Sequence, residues 1–134
     1  ICLAVDAAGV HLGQTDLPCS MARRILGAEK IIGVSAATPE EAAKAQSDGA
    51  DYLGVGAVFA TSTKTNTRPV TAETIRAIRS AVDIPFVVIG GVNSENISGL
   101  YGLGINGAAV ISAIISQPDI TAAARKMRQA AERL

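Results

Sequence analysis

The stretch Pro85-Phe86-Val87-Val88-Ile89-Gly90-Gly91-Val92-Asn93 decides the fold of this chain. Its continuous apolar run from Phe86 to Ile89 predicts a strand that is buried on both faces, as in a parallel sheet covered by helices. Gly90 and Gly91 follow at the carboxyl end, where glycines tolerate positive φ and let backbone amides approach an anion. The alternative is that this glycine pair only makes a tight turn.

The residues after the glycine pair predict a helix and a second strand. Asn93 is a typical cap for a helix over 94–103, Gly104 is typical of its end, and the strand that follows ends in Ser112. In barrels of alternating strands and helices, the loops after the last two strands commonly bind phosphate. We therefore expect a phosphate site at Gly91 and at the corner formed by Ile111 and Ser112.

The same strand, polar loop and helix pattern recurs five times along the chain. Further strands are predicted at 10–13, 30–35 and 52–59. Helices are predicted from Pro18 to Gly27, from Thr38 to Gly49 with Glu41 completing a capping box, and over 72–81 and 120–133, while residues 1–8 resemble the end of another helix.

Regular alternation predicts an α/β fold with a parallel sheet, either a barrel or an open doubly wound sheet. No dinucleotide-type glycine fingerprint follows the first strand, so we favour a TIM-type (β/α)8 barrel. Such a barrel needs eight units in roughly 250 residues. We therefore expect residues 1–134 to form a single domain, the C-terminal portion of a barrel, with open sheet edges that favour a homo-oligomer.

Composition narrows the class of protein. Apolar residues make up 49% of the chain and charged residues 18%, which is typical of a globular domain. Twelve basic and twelve acidic residues cancel, so nucleic acid is not expected as a partner. The apolar runs are too short to cross a bilayer, and a cytoplasmic protein is expected. Cys2 and Cys19 are expected to be reduced thiols without a nucleophilic role.

Polar residues at the predicted carboxyl ends of strands are the candidates for chemistry, because that end carries the active site of barrel enzymes. The candidates are Gln14, Asp16, Ser35, Thr61 to Lys64, Gly91 and Ser112. One carboxylate, one lysine, several hydroxyls and a glycine turn suit a phosphate or diphosphate better than an apolar ligand.

Each candidate also has a purely structural interpretation. Asp16 could hold Mg²⁺, which prefers oxygen ligands, or could be the N-cap of the helix that follows. Lys64 could neutralise a leaving diphosphate or simply be solvated. The hydroxyls of 61–63 could bind phosphate or form capped turns. His11 lies inside a predicted strand, so we expect a packed core histidine rather than a catalytic base.

Five motifs, in order and at matching spacing, resemble the thiamine phosphate synthase family across essentially the whole chain. They are Gly9 to Asp16 (GVHLGQTD), Ile32 to Ser35 (IGVS), Gly49 to Tyr52 (GADY), Thr61 to Lys64 (TSTK) and Ile89 to Val92 (IGGV). The resemblance implies a barrel enzyme that joins hydroxymethylpyrimidine diphosphate to a thiazole phosphate and releases diphosphate.

The resemblance also implies roles for individual residues. Asp16 corresponds to one of two Mg²⁺ ligands, and Ser35 and Lys64 correspond to contacts with the pyrimidine diphosphate. We take Ser35 and Lys64 as the catalytic candidates. The implied thiazole phosphate site consists of Thr61, Ser62, Thr63, Gly91, Ile111 and Ser112. In the implied mechanism diphosphate leaves first, and the thiazole nitrogen captures the resulting cation.

The chain also departs from the family pattern. The segment that supplies part of the diphosphate site and the second Mg²⁺ ligand is absent, so we expect these 134 residues alone to be inactive. Two alternatives stay open. One is a paralogue similar to thiazole tautomerase, which matches the first and fourth motifs less well. The other is an inactive partial barrel that binds thiazole phosphate or assembles through its open edges.

Overall fold

Strands and helices alternate in the structure, a computed structural model that describes residues 1–60 and 69–134. The strands are β1 (Gly9–Leu12), β2 (Ile31–Ala36), β3 (Tyr52–Gly56), β4 (Phe86–Ile89) and β5 (Gly107–Ala109). The helices are α1 (Cys19–Leu26), α2 (Pro39–Ser47), α3 (Ala72–Ala81), α4 (Ser112–Ile115) and α5 (Ile120–Ala131). No helix within the described ranges is long and apolar enough to cross a membrane.

The five strands form one parallel sheet in the order β1-β2-β3-β4-β5. Every neighbouring pair is parallel, as the alternation predicts. A doubly wound sheet reverses its strand order at a switch point, and this sheet has no such reversal. The open doubly wound alternative is therefore wrong, and the α/β parallel-sheet prediction is confirmed.

The two faces of the sheet differ in side-chain size and in burial. One face carries bulky apolar side chains such as Leu53, Phe86 and Val88, each with 0% of its surface exposed, which pack with the helices in the core. On the other face of β4, Val87 is half-buried and Ile89 is 40% exposed, because both line a cavity. The expectation that β4 is buried on both faces is wrong for this reason.

Capping residues begin the helices where the sequence predicts. The Thr38 hydroxyl accepts a hydrogen bond from the Glu41 amide at 3.2 Å, and Pro39 occupies the first turn of α2. The Glu41 carboxylate accepts from the amide of Ala37 at 2.8 Å rather than from the cap residue itself. The predicted bounds of α3 are confirmed, with Thr71 as its cap.

The predicted helix over 94–103 is wrong. Asn93 does act as a cap, because its side-chain oxygen accepts from the amides of Glu95 and Asn96. Only a 3-10 turn over Ile97–Leu100 follows. The buried apolar residues here recur at every third position, 97, 100 and 103, which fits 3.0 residues per turn better than 3.6.

Two predicted strand ends and the predicted helical segment over 1–8 also differ from the structure. The third strand ends at Gly56 rather than at residue 59. The last strand ends at Ala109, so Ser112 is the first residue of α4 and not the end of a strand. Residues 1–8 form hydrogen-bonded turns, including a bond of 3.1 Å from the Val5 amide to the Ile1 carbonyl, rather than a helix.

Replacing Ile78 with alanine tests whether the buried side of the helices contributes more to stability than the exposed side. Ile78 in α3 is 0% exposed, so Ile78→Ala is expected to lower the free energy of unfolding by about 2–5 kcal/mol. The matched control is Ile25→Ala in α1, where the side chain is 57% exposed and a change within about 0.5 kcal/mol is expected. Urea unfolding measures both values. Equal losses would contradict the packing described here.

Candidate functional site

A cavity of about 510 Å³ opens at the carboxyl ends of the strands, on the face of the sheet opposite the helices. Carboxyl ends of parallel strands meet at one edge, so residues far apart in sequence converge there. The cavity wall includes Gln14, Ser35, Gly91, Ile111 and Ser112. Every one of these residues was a candidate on sequence grounds.

The predicted substrate-binding residues fall into two groups. The structure brings Ser35, Gly91, Ile111 and Ser112 together around the cavity. Ser35 is half-buried, while Ile111 and Ser112 are exposed and accessible to a ligand. Four further candidates, Thr61, Ser62, Thr63 and Lys64, lie outside the described residues. The roles of all eight as ligand contacts stay predictions.

The backbone at Gly90 and Gly91 has the positive φ that the sequence predicts. The φ values are 100° and 66°, a region that side chains rarely adopt. A Cβ at Gly91 would also lie 2.4 Å from the Ala60 carbonyl oxygen. This close approach brings the segment after β3 against the glycine pair, at the rim of the cavity.

Asp16 lies in the loop after β1 and is exposed. Its Oδ2 accepts a hydrogen bond of 2.6 Å from the Gly13 amide. The N-cap alternative is wrong, because Pro18 occupies the cap position of α1 and no side chain caps that helix. The carboxylate instead closes the loop back onto β1.

The described residues contain no group of three or more His, Cys, Asp or Glu side chains arranged to hold a metal ion. Magnesium sites next to phosphates commonly use only one or two carboxylates, with phosphate oxygens and water completing the octahedron. An exposed carboxylate at Asp16 fits that mode of binding, so it is compatible with Mg²⁺ but does not form a protein-only site.

His11 is the residue that the sequence interpretation missed. It is exposed and lines the cavity, so the expectation of a packed core histidine is wrong. Its Nδ1 lies 3.0 Å from the Tyr52 hydroxyl, and its Nε2 lies 3.0 Å from the Ser35 hydroxyl. The neighbouring residues Val10 and Leu12 pack with the core. In a strand, successive side chains point to opposite faces, which places His11 towards the cavity.

The cysteines are free thiols, as predicted, and neither lines the cavity. Cys19 is buried and its thiol donates to the Asp48 carbonyl at 3.6 Å. Burial raises the pKa of the Cys19 thiol, with the nearby Asp48 carboxylate adding to the shift. A raised pKa disfavours the thiolate, the form that acts as a nucleophile.

Comparison with known proteins identifies the family. Residues 1–114 match the family described as thiamine monophosphate synthase. The chain belongs to that family. It is 53% identical over 134 residues to the thiamine-phosphate synthase of Moorella thermoacetica, covering 99% of this chain and 64% of the relative. It is 55% identical over 127 residues to that of Ruminiclostridium cellulolyticum, covering 95% and 60%.

A solved structure shows the same fold in this family. Thiamine phosphate pyrophosphorylase from Pyrococcus furiosus superposes with a TM-score of 0.88 at 42% identity, covering 98% of this chain and 62% of that protein. The chain thus spans between 60% and 64% of the length of these thiamine monophosphate synthase relatives.

Gly91→Ala tests whether the glycine pair needs both its φ and its close contact. The substitution is expected to lower the free energy of unfolding by more than about 2 kcal/mol, because the cost of a positive φ and the cost of the clash with Ala60 are both incurred. Gly102→Ala is the control, since Gly102 has φ 74° but would meet nothing within 4 Å, and about 1–2 kcal/mol is expected. Urea unfolding measures both losses. Equal values would show that the segment after β3 moves aside freely.

Proposed function

We propose that this chain carries the substrate site of a thiamine phosphate synthase, a transferase of thiamine biosynthesis. The reaction joins hydroxymethylpyrimidine diphosphate to a thiazole phosphate and yields thiamine phosphate and diphosphate. The observation that carries the proposal is the single cavity that collects Ser35, Gly91, Ile111 and Ser112 at the carboxyl ends of parallel strands. The support from sequence is the identity above 50% to two proteins named thiamine-phosphate synthase.

The architecture proposed for this site is a TIM-type (β/α)8 barrel, with the five-stranded sheet as part of its wall. One observation supports it: the parallel strand order is unreversed, and each strand pairs with the next strand along the chain. Four statements stay predictions: that the chain is a C-terminal portion of the barrel, that it is a single domain, that it is cytoplasmic and that it forms a homo-oligomer.

The proposed reaction is dissociative. The bond between the pyrimidine methylene carbon and the diphosphate oxygen breaks, and its electron pair leaves with diphosphate. The lone pair of the thiazole nitrogen then forms the new carbon–nitrogen bond. No strong base is needed, and the barrier falls when fixed donors stabilise charge on the leaving diphosphate. In this proposal Ser35 and Lys64 supply those donors. Ser35 lies on the cavity wall. Lys64 is not among the residues that the structure describes.

The proposed thiazole phosphate site is the other part of the same cavity. Gly91 contributes backbone at the rim, and Ile111 and Ser112 contribute the corner where β5 passes into α4. Thr61, Ser62 and Thr63 are assigned to this site on the family resemblance. A hydroxyl donating to a phosphate oxygen is a charge-assisted hydrogen bond, which is stronger than a neutral one.

Asp16 is the residue proposed to hold Mg²⁺. When bound, the ion would supply positive charge next to the diphosphate oxygens. The protein's own contribution is a carboxylate at the end of β1, whose position is fixed by the hydrogen bond from the Gly13 amide.

Two alternative functions remain distinguishable by experiment. The relatives of this chain in Moorella thermoacetica and Ruminiclostridium cellulolyticum carry the synthase name, which favours a synthase over a tautomerase-like paralogue. An inactive partial barrel would bind thiazole phosphate without turnover. A light-scattering mass above that of the monomer would favour assembly through open sheet edges.

Diphosphate release tests the transferase proposal. The chain is assayed with Mg²⁺, thiazole phosphate and the pyrimidine diphosphate, beside Asp16→Asn. Asparagine keeps an oxygen that can accept from the Gly13 amide but loses the charge, so any release that the chain supports is expected to fall at least about 100-fold. Asp83→Asn, at an exposed site far from the cavity, is the control and is expected to keep the rate.

Three outcomes are informative. Loss in Asp16→Asn alone supports the assignment of Asp16. An unchanged rate in that variant contradicts it. Absence of turnover in the parent chain, with thiazole phosphate still bound, supports the inactive partial barrel instead.

Thiazole phosphate binding tests the phosphate corner separately. Ser112→Ala is expected to weaken binding about 10- to 150-fold, because a hydrogen bond to a charged group contributes about 1.5–3 kcal/mol. Ser116→Ala, at the other end of α4 and outside the cavity, is the matched control. Isothermal titration calorimetry measures both affinities. Equal affinities in the two variants would remove Ser112 from the site.

A further inference from the structure

Three side chains from neighbouring strands form a hydrogen-bonded chain on the cavity wall. Tyr52 of β3 contacts Nδ1 of His11 at 3.0 Å, and Nε2 of His11 contacts the hydroxyl of Ser35 at 3.0 Å. His11 comes from β1 and Ser35 from β2. Only Ser35 was a candidate for the proposed reaction, so the other two residues need a separate explanation.

The sheet has space for these three hydrogen-bonded side chains because glycines lie beneath them. Gly33 pairs in register with both His11 and Tyr52, so the two rings meet above it. A Cβ at Gly33 would lie 2.2 Å from Tyr52 Cζ and 2.5 Å from His11 Nδ1. A Cβ at Gly54 would lie 3.0 Å from His11 Cε1. Larger residues at these positions would therefore displace the imidazole.

The backbone of Ser35 is held as well. The Gln14 side-chain amide donates to the Ser35 carbonyl at 2.6 Å. Ser35 is thus fixed through its main chain by the loop after β1, and through its hydroxyl by His11. Only the orientation of the Ser35 O–H bond is left open, and its hydrogen-bond partners determine that orientation.

The direction of the hydrogen bonds between Tyr52, His11 and Ser35 follows from the contact that Ser35 makes with a phosphate. A phosphate oxygen only accepts hydrogen bonds, so a serine that contacts it must donate its proton. The Ser35 oxygen must then accept from Nε2–H of His11. A neutral imidazole with its proton on Nε2 has an acceptor at Nδ1, so the Tyr52 hydroxyl donates to Nδ1.

We propose that His11 is a positioning residue whose Nε2–H directs the Ser35 hydroxyl proton into the cavity, and that Tyr52 selects the required tautomer of His11. The inference rests on the proposed function for the nature of the anion that Ser35 contacts. The hydrogen-bond direction itself can be measured without any ligand.

The protonated nitrogen of His11 is measured first. His11 is the single histidine of the chain, so a long-range ¹H–¹⁵N side-chain spectrum reports it alone. The spectrum is recorded near pH 8.5, about two units above the ordinary imidazole pKa of about 6.5. The expected result is a protonated Nε2 and an unprotonated Nδ1. A proton on Nδ1 in the parent chain would overturn the inference.

Tyr52→Phe tests the selection of the tautomer, since the ring stays and only the hydroxyl is removed. A mixture of both tautomers is expected in this variant. Tyr101→Phe is the matched control, because the Tyr101 hydroxyl donates to the Ala130 carbonyl at 3.0 Å, away from the cavity. Its spectrum is expected to match the parent. An unchanged spectrum in Tyr52→Phe would remove the role of Tyr52.

A double-mutant cycle then tests whether His11 acts through Ser35. The probe is the pyrimidine diphosphate with Mg²⁺, and affinity is measured by calorimetry. His11→Leu and Ser35→Ala are each expected to weaken binding about tenfold, and the double variant no further, because residues that act as one unit are not additive. His11→Gln is expected to recover most of the loss, since its amide can donate.

The outcomes separate the inference from the proposed function. Additive losses in the double variant, or no recovery in His11→Gln, would overturn positioning through Ser35. If the parent chain does not bind the probe while Nε2 is protonated, these residues alone do not form the proposed ligand site, whereas the direction of the hydrogen bonds between Tyr52, His11 and Ser35 stands. Circular dichroism of each variant checks that the fold is retained.

Discussion

The structure depends on the unequal size of the side chains on the two faces of one parallel sheet. The helix-facing residues are large and apolar, and Phe86 and Leu53 are completely buried there. On the face that lines the cavity, every row of paired residues contains a glycine, such as Gly33 between His11 and Tyr52. Burial on the first face holds the helices in place. Small residues on the second face leave the space in which a ligand can be bound.

Much of the fold could be predicted from sequence because its signals are local. The cap at Thr38 and the proline after it begin α2, and the apolar periodicity of α3 gives its bounds. The segment after Asn93 could not be predicted as well, because an asparagine cap is equally compatible with an α-helix and a 3-10 turn. Its apolar residues at every third position were the available signal, and they indicate the tighter turn.

The site could be predicted only in part, for a related reason. Residues at the ends of strands are recognisable from sequence, so Ser35, Gly91 and the Ile111–Ser112 corner could be named as candidates, and all of them line the cavity. His11 lies within a strand, and alternation alone cannot say which face is the cavity and which is the core. The residues that decide it are Gly33 and Gly54, whose missing side chains make room for the imidazole. They belong to other strands, and their relation to His11 appears only once the register is known.

Register therefore links the stability of the fold to the chemistry of the site. Shifting β2 by one residue against β1 would send Ser35 to the core face and bring Val34 to the cavity. The buried face opposes such a shift, because Ile32 and Val34 would lose their place in the core. The hydrogen bonds of His11 span three strands, and each is possible in one register only. Packing on the helix side thus determines which polar groups meet in the cavity, and the core residues Ala36 and Val92 themselves form part of its wall.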